Sequence, residues 1–109
     1  MCILRKETKI FKKLLNSPRK NIAVDIDGIL TVETEGHNYK TRTPNKRMIN
    51  KINQLFTKGH IIMLFTSRYL EDCEETKIWL HKNGVRYHFI KFDKLQYDLL
   101  IDDKSINTL

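Results

Sequence analysis

Four short apolar runs, each breaking off abruptly in polar or charged residues, limit what this chain can fold into. The first, Ile22-Ala23-Val24, follows the basic, turn-prone Ser17-Pro18-Arg19-Lys20-Asn21 and ends in Asp25-Ile26-Asp27-Gly28. The second, Ile61-Ile62-Met63-Leu64-Phe65, ends in Thr66-Ser67-Arg68. The third, Tyr87-His88-Phe89-Ile90, leads into Lys91-Phe92-Asp93-Lys94, and the fourth, Asp98-Leu99-Leu100-Ile101, ends in Asp102-Asp103. Runs this short and this apolar read as buried core strands. Helical spacing fills the gaps. Thr43 is placed to cap a helix with Pro44 at its first position, and Met48, Ile49, Ile52, Leu55 and Phe56 follow at helical intervals until Gly59. A second helix over Leu70–Asn83 carries Trp79 and Leu80 on its inward face and closes at Gly84. Strands alternating with helices predict an α/β fold, a parallel sheet and right-handed crossovers.

In open parallel sheets, ligands bind outside the carboxyl ends of the strands, where the polar breaks fall. Asp25 and Asp27 are two carboxylates two residues apart at such an end. They repel each other and lose hydration, so a cation must compensate them. A divalent metal with a phosphoryl group meets that need, with Asp25 suited to nucleophile and ligand and Asp27 to proton transfer. The Thr66 hydroxyl is a donor for a phosphate oxygen, Lys94 a counter-charge, and Asp102 with Asp103 the remainder of a magnesium site. A calcium loop starting at Asp25 would require an acid or amide at Ile29 and a glycine at Leu30, and has neither. An exposed turn is at odds with Ile26, Ile29 and Leu30 interleaved among the acids.

With Asp25-x-Asp27-Gly28, Thr66, Lys94 and Asp102-Asp103 in this order, the chain resembles the haloacid dehalogenase superfamily of phosphohydrolases over residues 21 to 104. Thr43-Pro44-Asn45, Phe65-Thr66-Ser67-Arg68 and Lys94-x3-Asp98-x2-Ile101-Asp102-Asp103-Lys104 are similar to small phosphatases of capsular-polysaccharide and sugar-phosphate pathways. Ile29 stands where that family usually has Thr or Val. Lys94 is preferred over Lys91 as the family lysine because it lies four residues before Asp98. The resemblance implies a Rossmann-like three-layer fold and a magnesium-dependent phosphomonoester hydrolase working through an aspartyl-phosphate on Asp25. It assigns proton transfer to Asp27, and places Gly28, Thr66, Ser67, Arg68 and Lys94 on the substrate side, Arg68 having a structural ion pair as its alternative. Magnesium would be held by Asp25, Asp27 through its carbonyl, Asp102 and Asp103. No stretch between Thr31 and Thr43 or between Thr66 and Lys94 has the length of a cap domain. Leu30 to Arg42, β-prone on both sides of Glu35-Gly36-His37-Asn38, reads as a short β-hairpin flap over a capless site.

A chain of 109 residues buries one modest core, which sets the catalytic domain at 21–109 behind a basic segment at 1–20. Seven basic side chains against Glu7 give that segment a net +6, leaving +1 for the rest. Ile3, Leu4, Ile10, Phe11, Leu14 and Leu15 share one face of an amphipathic N-terminal helix, with the lysines opposite. The helix is expected to pack on the domain or in a homo-oligomer interface, with nucleic acid or an anionic membrane surface as minority partners. Cys2 and Cys73 have neither metal nor redox spacing, and no apolar stretch reaches membrane-spanning length, which points to a cytoplasmic protein with reduced thiols. The four histidines are scattered and read as surface or packing residues. Two other functions stay open: a nucleic-acid or nucleotide phosphatase, and a phospho-acceptor signalling domain, whose motif order differs from this one.

Overall fold

The computed structural model describes residues 2–32, 39 and 41–103, with side chains from residue 8 onward. In chain order it contains α1 (Cys2–Leu15), β1 (Asn21–Val24), α2 (Lys46–Lys58), β2 (Ile61–Phe65), a 3₁₀ turn (Leu70–Asp72) running into α3 (Cys73–Lys82), and β3 (Phe89–Lys91). The strands form an open parallel sheet in the order β1-β2-β3, with Val24 opposite Leu64 and Leu64 opposite Ile90. Parallel neighbours cannot be joined by a tight turn, and each step here returns through a helix. Among the described residues the fold is a small α/β unit of three strands and three α-helices.

The core lies around central β2. Ile62 and Leu64 are fully buried among Val24, Ile26 and Leu30 from the β1 region, Ile49, Ile52 and Leu55 from α2, and Trp79, Leu80 and Val85 from α3 and the turn after it. The three-residue spacing of the α2 contributors is the stripe a helix turns toward a core.

Helix α2 begins later than its sequence suggests. Asn45, not Thr43, is the cap, its Oδ1 accepting the Met48 N–H at 3.2 Å. Pro44 is held outside the helix by an antiparallel bridge to Thr31, and the Asn45 N–H donates to the Leu30 carbonyl at 2.8 Å. A long-range bridge thus displaced a locally attractive start. At the other end Gly59 takes the left-handed conformation (φ 106°) that lets its N–H reach the Leu55 and Phe56 carbonyls. The helix expected over Leu70–Asn83 is split into the 3₁₀ turn and α3. Strand β3 is short and sits later than Tyr87–Ile90. Ahead of it the His88 imidazole substitutes for a ladder partner: Ile62 N–H donates to His88 Nδ1 at 3.0 Å, and His88 N–H donates to the Ile62 carbonyl at 2.9 Å.

The fourth apolar run is not a strand. Leu99, Leu100 and Ile101 are 52%, 41% and 68% exposed in an irregular segment, and β1 remains an edge strand with Asn21 and Ala23 exposed. Only six residues separate Lys91 from Asp98, against the dozen or so that a parallel crossover generally takes.

Helix α1 lies against α2. Phe11, Leu14 and Leu15 are partly buried on the core, and the Lys51 ammonium sits 5.0 Å from the Phe11 ring centre. Ile10, expected on the same face, points to solvent. Buried His60 ties this helix down: its Nδ1 accepts the Lys20 N–H at 3.0 Å, and its other ring nitrogen lies 2.7 Å from the Leu14 carbonyl. A backbone N–H can only donate, so the ring proton is on Nε2 and points at Leu14. No helix among the described residues is long and apolar enough to cross a membrane. Most of the expected flap lies outside the described residues; at its base the Val32 N–H donates to the Thr43 carbonyl at 2.8 Å beside the Thr31–Pro44 bridge.

Candidate active site

The loop after β1 is built from the alternation that its sequence shows. Ile26 and Leu30 are fully buried and anchor it from below, while Asp25 and Asp27, on either side of Ile26, stay partly exposed. The Ile29, Leu30 and Thr31 N–H groups all turn back on the Ile26 carbonyl, at 3.3, 2.8 and 3.2 Å. Gly28 supplies the positive φ (87°) that this reversal requires, and its N–H donates to Thr31 Oγ1 at 3.1 Å. That N–H, expected on the substrate side, is therefore engaged inside the loop. Asp25 Oδ1 accepts the Ile26 N–H at 2.8 Å, and Oδ2 faces the Lys94 ammonium at 3.7 Å.

Three backbone hydrogen bonds of 2.9 Å bring Lys94 there: Thr66 N–H to the Lys91 carbonyl, Lys94 N–H to the Thr66 carbonyl, and Asp93 N–H to the Arg68 carbonyl. Asp93 makes the turn in a left-handed conformation (φ 57°), which aspartate tolerates better than most residues. The Lys94 ammonium also lies 5.3 Å from the centre of the Phe65 ring. Lys91 stands exposed on β3, and the lysine that faces Asp25 is Lys94, the one favoured by its spacing to Asp98. Asp25, Ser67 and Lys94 line an open cleft of about 400 Å³ with Leu95, Gln96 and Tyr97. Thr66 is buried at the end of β2, its Oγ1 accepting the Arg68 N–H at 3.1 Å, which leaves the hydroxyl proton available to a second acceptor.

Asp27 and Arg68 form the tightest polar pair of this region. Arg68 Nη2 donates to Asp27 Oδ1 at 2.7 Å and Nε donates to Oδ2 at 2.8 Å, a bidentate fork. Nη1 donates to Thr76 Oγ1 on α3 at 3.0 Å, and the guanidinium lies 4.0 Å from the centre of the Tyr39 ring. Arg68 is 1% exposed. Arg68 thus makes the ion pair that was its alternative: three of its five N–H donors reach Asp27 and Thr76, and the side chain is buried. Arg42 adds a second cation, Nε lying 3.9 Å from Asp27 Oδ1 while the Trp79 indole donates to the Arg42 carbonyl at 2.8 Å. Thr76, Tyr39 and Arg42 were not foreseen. Thr76 alone carried a signal, as a polar residue one turn before Trp79 and Leu80 on the inward face of α3.

Asp102 and Asp103 stand exposed after the fourth apolar run, and among the described residues no three His, Cys, Asp or Glu side chains converge to hold a metal. The expected donors fit magnesium in chemistry, being hard oxygens throughout. Their arrangement here does not assemble them into a coordination shell.

No known family and no curated protein matches the chain. Solved structures do. A Vibrio cholerae protein determined as a structural-genomics target superposes with a TM-score of 0.64 at 25% identity, covering 82% of this chain and 83% of that one. A chain of the Pnkp1/Rnl/Hen1 complex superposes with a TM-score of 0.63 at 19% identity, covering 82% of this chain and 32% of the other. The likeness establishes a recurring α/β fold over 82% of the chain.

Proposed function

We propose that this chain is a phosphomonoester hydrolase of haloacid dehalogenase type, acting through an aspartyl-phosphate on a small phosphorylated metabolite such as a sugar phosphate. The observation that carries the reading is the Asp25 carboxylate facing the Lys94 ammonium at 3.7 Å, in a cleft at the carboxyl ends of a parallel sheet. A carboxylate 41% exposed beside one cation is poised to meet an anionic electrophile whose charge that cation offsets.

In this reading an Asp25 oxygen attacks phosphorus in line and the bond from phosphorus to the leaving oxygen breaks. That oxygen takes a proton from Asp27. Water then attacks the phosphorus of the aspartyl-phosphate, gives its proton to Asp27, and releases orthophosphate and the Asp25 carboxylate. Thr66 and Lys94 hold phosphoryl oxygens, and Ser67 lines the approach. Magnesium belongs to the proposal, with the Asp25, Asp102 and Asp103 carboxylates and the Asp27 carbonyl as its donors. When bound it would neutralise phosphoryl charge.

The test is a screen of phosphomonoesters (sugar phosphates, nucleotides and end-phosphorylated oligonucleotides) with Asp25→Asn as control. Turnover of at least one ester is expected, abolished in Asp25→Asn with an unchanged circular dichroism spectrum. Full activity in that variant would remove the aspartyl-phosphate. Magnesium binding is read separately by calorimetry: heat of binding lost in Asp25→Asn and in Asp102→Ala supports the donor set, and unchanged heat in both refutes it.

A further inference from the structure

A proton-transferring carboxylate is useful only if it stays where the reacting oxygens will be, and Asp27 does not hold its own position. It stands at the start of a turn, its side chain is 29% exposed, and its two oxygens are both engaged by a guanidinium that arrives 41 residues later in the chain. That guanidinium is itself held from two further directions, Nη1 donating to Thr76 Oγ1 on α3 and the group lying 4.0 Å from the Tyr39 ring centre, while the Arg68 backbone N–H donates to Thr66 Oγ1. A carboxylate offers about four lone-pair positions, so a bidentate fork leaves others for a leaving group or water. The exposure of Asp27 against the burial of Arg68 says which partner meets the substrate.

Resting on the phosphatase reading, we propose that Arg68, buttressed by Thr76, is the positioning residue that sets the Asp27 carboxylate for proton transfer, and that α3 is thereby part of the working site. Arg68 touches neither substrate nor phosphorus. Its effect passes through Asp27, so it is selective for reactions that need a proton delivered to the leaving oxygen. p-Nitrophenyl phosphate has a leaving group that departs readily as an anion, whereas β-glycerophosphate has one that must be protonated.

Arg68→Ala should lower kcat on β-glycerophosphate about 100-fold, the scale seen when a catalytic group loses its alignment, and on p-nitrophenyl phosphate by about tenfold or less, with little change in KM. Thr76→Val keeps the volume of the side chain and removes only the acceptor of Nη1; a loss of about threefold with the same substrate bias is expected. Arg68→Lys should recover part of the rate, since one ammonium can hold one oxygen. In an Asp27→Asn background, Arg68→Ala should cost nothing further. Equal losses on both esters, a loss confined to KM, or additive effects of Arg68→Ala and Asp27→Asn would overturn the proposal, and Thr76→Val decides it if Arg68→Ala does not fold. The same double-mutant cycle is read in thermal unfolding, where non-additivity is expected. A wild type that hydrolyses no phosphomonoester would defeat the phosphatase reading, while additivity in unfolding would defeat the Arg68–Asp27 unit on its own.

Discussion

Ile61–Phe65 and Leu99–Ile101 are both runs of large apolar side chains ahead of polar residues, yet β2 buries Ile62 and Leu64 completely while Leu99, Leu100 and Ile101 face outward. The difference lies in what flanks them. β2 has β1 on one edge and β3 on the other, so its backbone groups are paired on both sides and its side chains meet α2 and α3. The later run follows β3 by too short a link for a parallel crossover and finds no ladder. Hydrophobicity permits burial, but two-sided pairing enforces it. The same contrast divides the candidate site. Thr66, Ser67 and Arg68 leave a fully paired strand and are held by short hydrogen bonds, whereas Asp102 and Asp103 follow the unpaired run.

The contrast is most open to attack at its two apolar runs. Leu64→Ala should cost about 2–5 kcal/mol in chemical denaturation, the range for a large core deletion, and Leu100→Ala should stay within about 0.5 kcal/mol. Comparable losses would mean that the last run is packed after all. Next comes the site. Lys94→Ala removes the counter-charge of Asp25 and should lower kcat/KM by about 100-fold or more, close to 2.7 kcal/mol, by analogy with loss of one electrostatic donor. Lys91→Ala, on the exposed strand end, should leave the rate nearly unchanged, and the opposite ranking would transfer the role to Lys91.

Buried and exposed histidines sharpen the comparison further. His60→Ala strands the Lys20 N–H and the Leu14 carbonyl, and a loss of about 1–3 kcal/mol is expected, against almost none for exposed His81→Ala. Thermal melts of both variants read this directly, and equal midpoints would show that α1 is not tied down through His60. The smallest effect is at the helix cap. Asn45→Ala should cost about 1 kcal/mol and Thr43→Ala clearly less, because only Asn45 accepts from the Met48 N–H.

Much of the site could be read in sequence because its residues announce themselves locally. Asp25-Ile26-Asp27-Gly28 breaks an apolar run with acids and a turn glycine, and Thr66 ends another. The role of Arg68 was not legible. A lone arginine after a strand is equally suited to phosphate or to a carboxylate, and its choice of Asp27 depends on contacts across 41 residues. Tyr39 and Arg42 gave no sign at all, since nothing in the order of their neighbours shows that a ring will cover a guanidinium or that a second cation will approach Asp27.

By itself, then, the sequence determined the alternation of strand and helix, the apolar stripes of α2 and α3, and the polar breaks at which Asp25, Asp27 and Thr66 stand. These are periodic or turn-bound signals, carried by residues within a few positions of one another. Tertiary structure decided which apolar runs became strands, that Asn45 rather than Thr43 caps α2, that Lys94 rather than Lys91 meets Asp25, and that Arg68 holds Asp27. Each of those outcomes is a choice among partners distant in the chain. Hydrogen bonds and ion pairs act over a few ångströms, so only the packed fold selects between them.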